Sequence, residues 1–213
     1  VDDEHLDIYE DEVFAPENRE TKLSLAEVVK AVKSEGNPLE ALRTFKAPAA
    51  EPVTSEILKG QIFPDFTFGS QAVEVEVNIL TGKVNVTKMA GAYDVGTAIN
   101  PKRVEGQIEG GMTQGLGFAL MEEFIEEQGI PKTTSLRTYM IPTSKDVPDI
   151  QSIILESHSG KGPFGSKGIG EPPIVATTPA ILNAIYDAVE VRIKKTPSTS
   201  EKVFYHLKEG TIA

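Results

Sequence analysis

The segment 160-GKGPFGSKGIGEPP-173 contains the residues best suited to chemistry, because it combines many free backbone N–H groups with one carboxylate. Glycine lets a backbone turn with positive φ or approach a ligand closely. Successive N–H groups in such turns form a concave site for an anionic or sulfur-rich ligand. Glu171 follows the last glycine, and Pro172 and Pro173 fix the backbone beside it. These residues alone leave two roles open for Glu171: a catalytic carboxylate, or a residue that stabilises the following helix through its dipole or a surface ion pair.

The same segment matches parts of two nucleotide-binding motifs and satisfies neither. Residues 160–165 match G-x-G-x-x-G, but the dinucleotide motif needs its third glycine inside a helix that begins at the loop. Further glycines and the two prolines postpone any helix here. The phosphate-binding P-loop fails because Ser166-Lys167 follows Gly165 where Lys and then Ser or Thr are required. A nucleotide-binding domain stays an alternative that depends on the G-x-G-x-x-G match alone.

Composition limits the other possibilities. The 213 residues have a formal net charge of −11, three widely separated histidines and no cysteine. The acidic balance argues against nucleic acid or an anionic membrane as a partner. Without cysteine this chain has no ligands for an iron–sulfur cluster or a thiolate zinc site, and we assign no metal ligands. No apolar run reaches the about 18 residues of a membrane span, so we expect a cytoplasmic protein. The chain starts without Met, and we expect a fragment or a processed subunit.

Capping signals predict the helices that hold the loop. Ser24-x-x-Glu27 is a capping box, Asn100-Pro101 is a typical helix start, and Thr178-Pro179 opens a third helix. The predicted helices are 24–35, 101–124, 178–192 and a short one at 200–207. The second of them contains interior glycines, each of which costs about 0.5–1 kcal/mol relative to alanine. These glycines are Gly106, Gly110, Gly111, Gly115 and Gly117. We therefore expect another backbone or a ligand to approach this helix closely.

Alternating apolar and polar residues predict the strands. The pattern over 72–79 and the turn 80–83 predict a hairpin at 72–95. Further strands are predicted at 138–143 and 150–157, with a short one near Ile62 in an irregular connector. The mixed order of helices and strand pairs predicts an α+β fold of mixed antiparallel hairpins with packed helices.

Four ordered motifs identify a family. The segments 69-GSQAVEVEVNILTGKVNV-86, 94-DVGTAINP-101, 105-EGQIEGGMTQGLGFALMEE-123 and 165-GSKGIGEPP-173 resemble the C-terminal part of the molybdenum hydroxylases, the xanthine dehydrogenase and aldehyde oxidase family. The resemblance runs from about residue 23 to the C-terminus. It implies one domain over 1–213, the C-terminal part of a molybdopterin-binding domain. In it, an acidic edge at 1–22 precedes the family-like region 23–213.

The resemblance also implies roles for individual residues. Glu171 occupies the position of the family's active-site base, which takes a proton while oxygen from water is transferred to an electron-poor carbon. Gln107 matches a glutamine that hydrogen-bonds the pterin. The backbone beside the metal and its dithiolene corresponds to Ser166, Lys167, Gly168, Ile169 and Gly170. Asp94 and Asn100 are expected to be structural, in a turn and a helix cap.

The resemblance implies cofactors and partners outside this chain. The complete enzyme contains molybdenum–molybdopterin, with iron–sulfur clusters and FAD on other domains or subunits. The expected partners are the N-terminal part of the molybdopterin-binding subunit, the iron–sulfur and flavin portions, and a small-molecule substrate. The substrate class stays open among purines, aldehydes, nicotinate and aromatic thioesters. Because other cofactor contacts belong to the earlier part of the subunit, we expect this chain alone to be inactive. A non-catalytic domain with an empty cofactor site is the alternative.

Overall fold

The computed structural model describes residues 6–46 and 63–210, and the chain divides into two units, Val1–Lys46 and Ala47–Ala213. The first unit is an antiparallel sheet in the order β1 (Asp7–Tyr9), β2 (Glu12–Ala15), β3 (Asn18–Ser24), followed by helix α1 (Leu25–Ser34). The predicted capping box opens α1: the Ser24 side chain accepts from the Glu27 N–H, and the Glu27 carboxylate accepts from the Ser24 N–H. The strands of the acidic segment were not predicted.

The second unit is organised by a three-stranded sheet. Strands β4 (Gly69–Val77) and β5 (Val84–Asp94) form the predicted hairpin, paired antiparallel with a register shift between Glu74 and Val75. Strand β8 (Asp149–Leu155) pairs parallel to β5, so the sheet order is β4-β5-β8. A separate two-stranded ribbon of β6 (Glu126–Glu127) and β7 (Ile130–Pro131) lies between β5 and β8 in the sequence.

Four helices complete the second unit. They are α2 (Pro101–Leu120), α3 (Pro172–Val175), α4 (Thr177–Val189) and α5 (Ser200–Gly210). Asn100 caps α2 as predicted, with its side chain accepting from the Arg103 N–H at 3.0 Å. The alternation of β5 and the four-residue spacing of α2 and α4 produce one core, whose largest fully buried members include Met89, Ile108, Met112, Leu116, Ile181 and Ile185. In the described part of the chain, no helix is both long and apolar enough to span a membrane.

Two glycines of α2 are explained by helix packing. A Cβ added at Gly111 would lie 2.6 Å from the Cβ of Pro173 in α3, and one added at Gly115 would overlap the Cβ of Thr177 in α4. Gly106 and Gly110 differ, because both are exposed and an added Cβ would meet nothing within 4 Å. The expected close approach is therefore confirmed on the face of α2 that packs against α3 and α4, while Gly106 and Gly110 lie outside that contact.

Several predicted boundaries are wrong for identifiable reasons. The strand predicted at 138–143 is absent, because local hydrogen bonds form instead: the Tyr139 N–H donates to the Ser135 carbonyl and the Thr143 N–H to the Asp146 carboxylate, both at 2.8 Å. Helix α2 ends at Leu120 rather than at residue 124. Just after this end, the Glu122 N–H donates to the Gly117 carbonyl. The strand predicted near Ile62 lies outside the described residues.

Adjacent glycines of α2 give a matched test of this packing. Gly111→Ala places a methyl group against the rigid ring of Pro173, and overpacking costs about 1–3 kcal/mol. Gly110→Ala adds the same atom in open space and should gain about 0.5–1 kcal/mol of helix propensity. We expect urea unfolding to show Gly111→Ala less stable and Gly110→Ala more stable than the wild type. Equal effects in the two variants would contradict the packing assignment.

Candidate cofactor-binding site

A cavity of about 590 Å³ lies between the N-terminal half of α2 and the glycine-rich loop. Its walls come from the segment that joins β5 to α2, from one face of α2, and from the loop. The lining residues are Val95, Thr97, Ile99, Asn100, Arg103, Val104, Gln107, Ser166, Lys167, Ile169 and Gly170. Five of the six residues expected to bind the cofactor therefore line one cavity, and Gly168, the sixth, lies between two of them in the chain.

An ion pair at the end of β5 holds the loop. The Lys167 ammonium lies 2.6 Å from the Asp94 carboxylate, and the two side chains are only 5% and 17% exposed. The same carboxylate accepts from the Gly96 N–H and from the Ser157 hydroxyl. Lys167, together with the Gly96 N–H and Ser157, holds the pKa of the Asp94 carboxyl well below its usual range. Asp94 was expected in a turn but is the last residue of β5, paired with Leu155 of β8. Its carboxylate joins Ser157 and Lys167, the two ends of the segment 157–167.

Glycines allow the loop to fold against itself. Gly96 and Gly165 both have positive φ, at 68° and 76°. An added Cβ at Gly96 or at Gly160 would overlap the Gly165 carbonyl, and one at Gly162 would overlap the Ser166 carbonyl. Gly168 and Gly170 have no such neighbour among the described residues, since an added Cβ would meet none of their atoms within 4 Å. The first part of the loop is therefore packed internally, and the part nearest Glu171 is open.

The hydrogen bonds of the loop correct one expectation. The N–H groups of Gly165, Ser166 and Lys167 donate to the carbonyls of Gly162, Pro163 and Val95, respectively, at 2.8–3.1 Å. They do not form a continuous N–H site over 165–170, because turn formation and the contact with β5 use these donors. Within the described residues, the N–H groups of Gly168, Ile169 and Gly170 have no hydrogen-bond acceptor.

Gln107 lies on the face of α2 that meets the loop. Its side-chain amide donates to the Gly170 carbonyl at 2.5 Å, across 63 residues of sequence. This contact agrees with the expectation that Gln107 and the loop share one concavity. It also connects α2 directly to the residue before Glu171.

Glu171 is the N-cap residue of α3, and its side chain is exposed. Its carboxylate makes no capping hydrogen bond to that helix, and among residues 6–46 and 63–210 none pairs with it. Glu171 lines a second cavity, of about 400 Å³, together with Thr67, Gly69 and Tyr93. Of the helix-stabilising roles left open by the residues alone, the surface ion pair is therefore not formed among the described residues, and the helix-dipole role stays an alternative.

Sequence reasoning missed the residues that support the loop from the sheet. The half-buried Gln71 on β4 and the buried Tyr93 on β5 form a hydrogen-bonded pair that contacts the start of α3. The Thr67 hydroxyl donates to the Gly168 carbonyl at 2.6 Å. The sequence signal that could have indicated these supporting residues was the presence of polar residues, such as Gln71, inside an otherwise alternating hairpin. Within the described part of the chain, no group of three or more His, Cys, Asp or Glu is arranged to hold a metal ion.

The second unit is thus an α+β domain in which a capped, glycine-bearing helix faces a glycine-rich loop across a cavity. A family model described as the molybdopterin cofactor-binding domain matches residues 1–148. The chain belongs to this family. The matched range contains Gln107 and ends before the loop with Glu171.

Similar proteins agree with this assignment. The chain is 39% identical over 164 residues to a probable xanthine dehydrogenase subunit of Bacillus subtilis (strain 168), covering 74% of this chain and 22% of the relative. It is 34% identical over 178 residues to the aldehyde oxidoreductase of Megalodesulfovibrio gigas, covering 83% of this chain and 19% of that one.

A solved structure, the aldehyde oxidoreductase from Desulfovibrio desulfuricans ATCC 27774, superposes with a TM-score of 0.74 at 34% identity, over 86% of this chain and 19% of that one. This likeness confirms the α+β fold. The chain thus spans about a fifth of the length of the relatives that it matches.

The ion pair at Asp94 predicts a pH dependence of stability. The pKa of Asp94 is depressed in the folded protein, so its stabilising contribution is complete above the unfolded value of about 3.9 and disappears as the pH falls through the lower folded value. We expect the difference in free energy of unfolding between the wild type and Asp94→Asn to be constant above about pH 5 and to shrink below about pH 4. Lys167→Met should reduce the same acid-dependent contribution. A difference that is unchanged from neutral pH to pH 2 would contradict the prediction.

Proposed function

We propose that this chain supplies the catalytic base and part of the cofactor site of a molybdenum hydroxylase. The observation that carries the proposal is the position of Glu171, directly after a loop whose last residue is bonded to Gln107. The carboxylate is exposed and free of partners in the described structure, as a group that must accept a proton requires. The family assignment supports the cofactor, and the bond between Gln107 and Gly170 supports a place for Glu171 next to the proposed cofactor site.

The residues that face the cavity fit a large cofactor with many hydrogen-bonding groups. Three consecutive N–H groups, those of Gly168, Ile169 and Gly170, have no acceptor among the described residues. The space beyond Gly170 is open, so a ligand can approach the backbone closely there. We assign Gln107, Ser166, Lys167, Gly168, Ile169 and Gly170 to cofactor binding. For Ser166 and Lys167 the contacts must come from groups other than their N–H, which are already bonded.

In the proposed reaction, the residues of this chain position the cofactor and accept a proton. When bound, molybdenum–molybdopterin supplies a two-electron acceptor for oxidation of an electron-poor carbon with water as the oxygen source. Glu171 accepts the proton that is lost as the new carbon–oxygen bond forms. The loop backbone and Gln107 orient the cofactor relative to this carboxylate, because both are fixed to the same framework.

The whole enzyme extends beyond this chain, which spans about a fifth of its relatives. Two relatives are named as xanthine dehydrogenase and aldehyde oxidoreductase proteins, and we infer an aldehyde or an electron-poor heteroaromatic compound as substrate. The N-terminal part of the molybdopterin-binding subunit would complete the cleft. Iron–sulfur and flavin portions would carry the electrons onward, and we place the assembly in the cytoplasm.

Replacing Glu171 tests the catalytic assignment. Glu171→Gln keeps the size of the side chain and removes its basicity, so turnover per bound molybdenum in the assembled enzyme should fall by about 10²–10⁴. Molybdenum content should stay near that of the wild type, because the proposed cofactor contacts come from neighbouring residues.

Glu201→Gln is the matched control, since it removes an exposed carboxylate from the first turn of α5. Glu201→Gln should leave turnover unchanged and alter only the contribution of the helix dipole to the stability of α5. If Glu171→Gln behaves like Glu201→Gln, Glu171 is a helix-stabilising residue and the catalytic assignment is wrong.

Two glutamines of α2 provide a test of the cofactor site. Gln107 lines the cavity and contacts Gly170, whereas Gln114 is exposed on the same helix and is not part of the lining. Gln107→Leu should lower the molybdenum content of the assembled protein by about fivefold, the equivalent of one hydrogen bond of about 1 kcal/mol. Gln114→Leu should have no effect in the same metal analysis. Equal molybdenum content in both variants would remove Gln107 from the site.

A further inference from the structure

Within the described residues the Glu171 carboxylate makes no capping hydrogen bond and no ion pair, so its direction depends on the backbone beside it. Immediately after it, the Pro172 and Pro173 carbonyls are held by side chains from other elements. The Gln71 amide donates to the Pro173 carbonyl at 2.6 Å, and the Tyr93 hydroxyl lies 3.4 Å from the Pro172 carbonyl. Both donors belong to the sheet, so the start of α3 is tied to β4 and β5.

Gln71 and Tyr93 are themselves joined. The second N–H of the Gln71 amide donates to the Tyr93 hydroxyl at 2.5 Å, so one amide bridges the ring and α3. In the β4–β5 register Gly69 faces Tyr93 and Gln71 faces Gly91, so the two side chains are diagonal neighbours across the hairpin. A Cβ at Gly69 would overlap the Tyr93 ring, and one at Gly91 would lie 3.2 Å from it. The two glycines make room for this ring to lie across the strands toward α3.

The environment of the pair keeps it rigid. Tyr93 is 2% exposed, and burial raises the pKa of its hydroxyl, which therefore stays a neutral donor. The Pro173 carbonyl also accepts from the buried Thr177 hydroxyl at 2.9 Å. On the opposite side, Pro173 packs against Gly111 of α2. The backbone after Glu171 is thus restrained by the sheet, by α2 and by α4.

We propose that Gln71 and Tyr93 are positioning residues for Glu171: they fix the Pro172 and Pro173 carbonyls and so set the direction in which the carboxylate projects. This inference rests on the proposed function, because it matters for chemistry only if Glu171 is the base. Proton transfer requires the acceptor to lie within hydrogen-bond reach of the proton. A small displacement of an oriented group is enough to slow a reaction strongly.

Tyr93→Phe removes one hydroxyl and keeps the ring, and Gln71→Leu removes both amide contacts at similar volume. In the assembled, molybdenum-loaded enzyme, we expect each variant to lower kcat per molybdenum by about 10–100-fold, the usual effect of losing an outer supporting contact. KM should change little. Neither variant should lower kcat further when Glu171→Gln is already present, because the two residues act through Glu171.

Hydrogen exchange provides a readout that does not depend on turnover. The Ile174 N–H donates to the Glu171 carbonyl at 3.1 Å, so loosening of this segment should speed exchange at Ile174 in Tyr93→Phe and Gln71→Leu. Thr178→Val is the matched control: it removes a partly buried hydrogen bond from Thr178 to the Gly115 carbonyl, between α4 and α2. It should leave kcat and exchange at Ile174 unchanged.

The outcomes separate the two proposals. If Glu171→Gln retains turnover, the proposed function fails and the positioning roles fail with it. If Glu171→Gln loses turnover while both Tyr93→Phe and Gln71→Leu keep it, only the positioning proposal is overturned. The positioning proposal is also overturned if the losses of kcat multiply when Tyr93→Phe or Gln71→Leu is combined with Glu171→Gln. That result would give Gln71 and Tyr93 a role independent of Glu171. If one of the two variants does not fold, the other decides between these results.

Discussion

The candidate site depends on a single carboxylate at the end of β5. The Asp94 carboxylate accepts from Lys167, from the Gly96 N–H and from Ser157. It therefore joins the segment that connects β5 to α2 to both ends of the segment 157–167. Charge-assisted hydrogen bonds of this kind are stronger than neutral ones. Removing one partner from a largely buried ion pair leaves the other charge uncompensated. A loop rich in glycine, which would otherwise have high conformational freedom, is thereby held in one arrangement.

This anchoring divides the glycines into two groups. Gly96, Gly160 and Gly165 permit contacts of the chain with itself, as Gly111 and Gly115 do between helices. Among the described residues of α2 and the glycine-rich loop, the glycines with open space are Gly106, Gly110, Gly168 and Gly170. Helix propensity alone disfavours the first two of these. Packing within the described chain gives no reason for them, whereas a ligand or partner that approaches the helix and loop closely does.

Glu171 combines a held backbone with an unpaired side chain. Its backbone is held through Gln107 before it and through Gln71 and Tyr93 after it, while its carboxylate has no partner in the described part of the chain. A general base benefits from both properties, since its geometry must be defined and its lone pairs must be available. An anchored backbone with a free side chain satisfies both without any direct partner for the acid.

Local sequence patterns determined α1, α2, α4 and α5, the caps of α1 and α2, and the hairpin, because capping boxes, Asn-Pro starts and alternation act within a few residues. They missed α3, and α4 begins at Thr177 after Ala176 rather than at a Thr178 cap. The family motifs further predicted Gln107, Glu171 and the loop as site residues. Only the tertiary structure decided the parallel pairing of β8 with β5, the Asp94–Lys167 pair across 73 residues and the Gln71–Pro173 bond across 102. No local period predicts which distant donor meets which acceptor. The strand predicted at 138–143 was wrong for a different, local reason, because the N–H groups of Tyr139 and Thr143 donate to acceptors only four and three residues away.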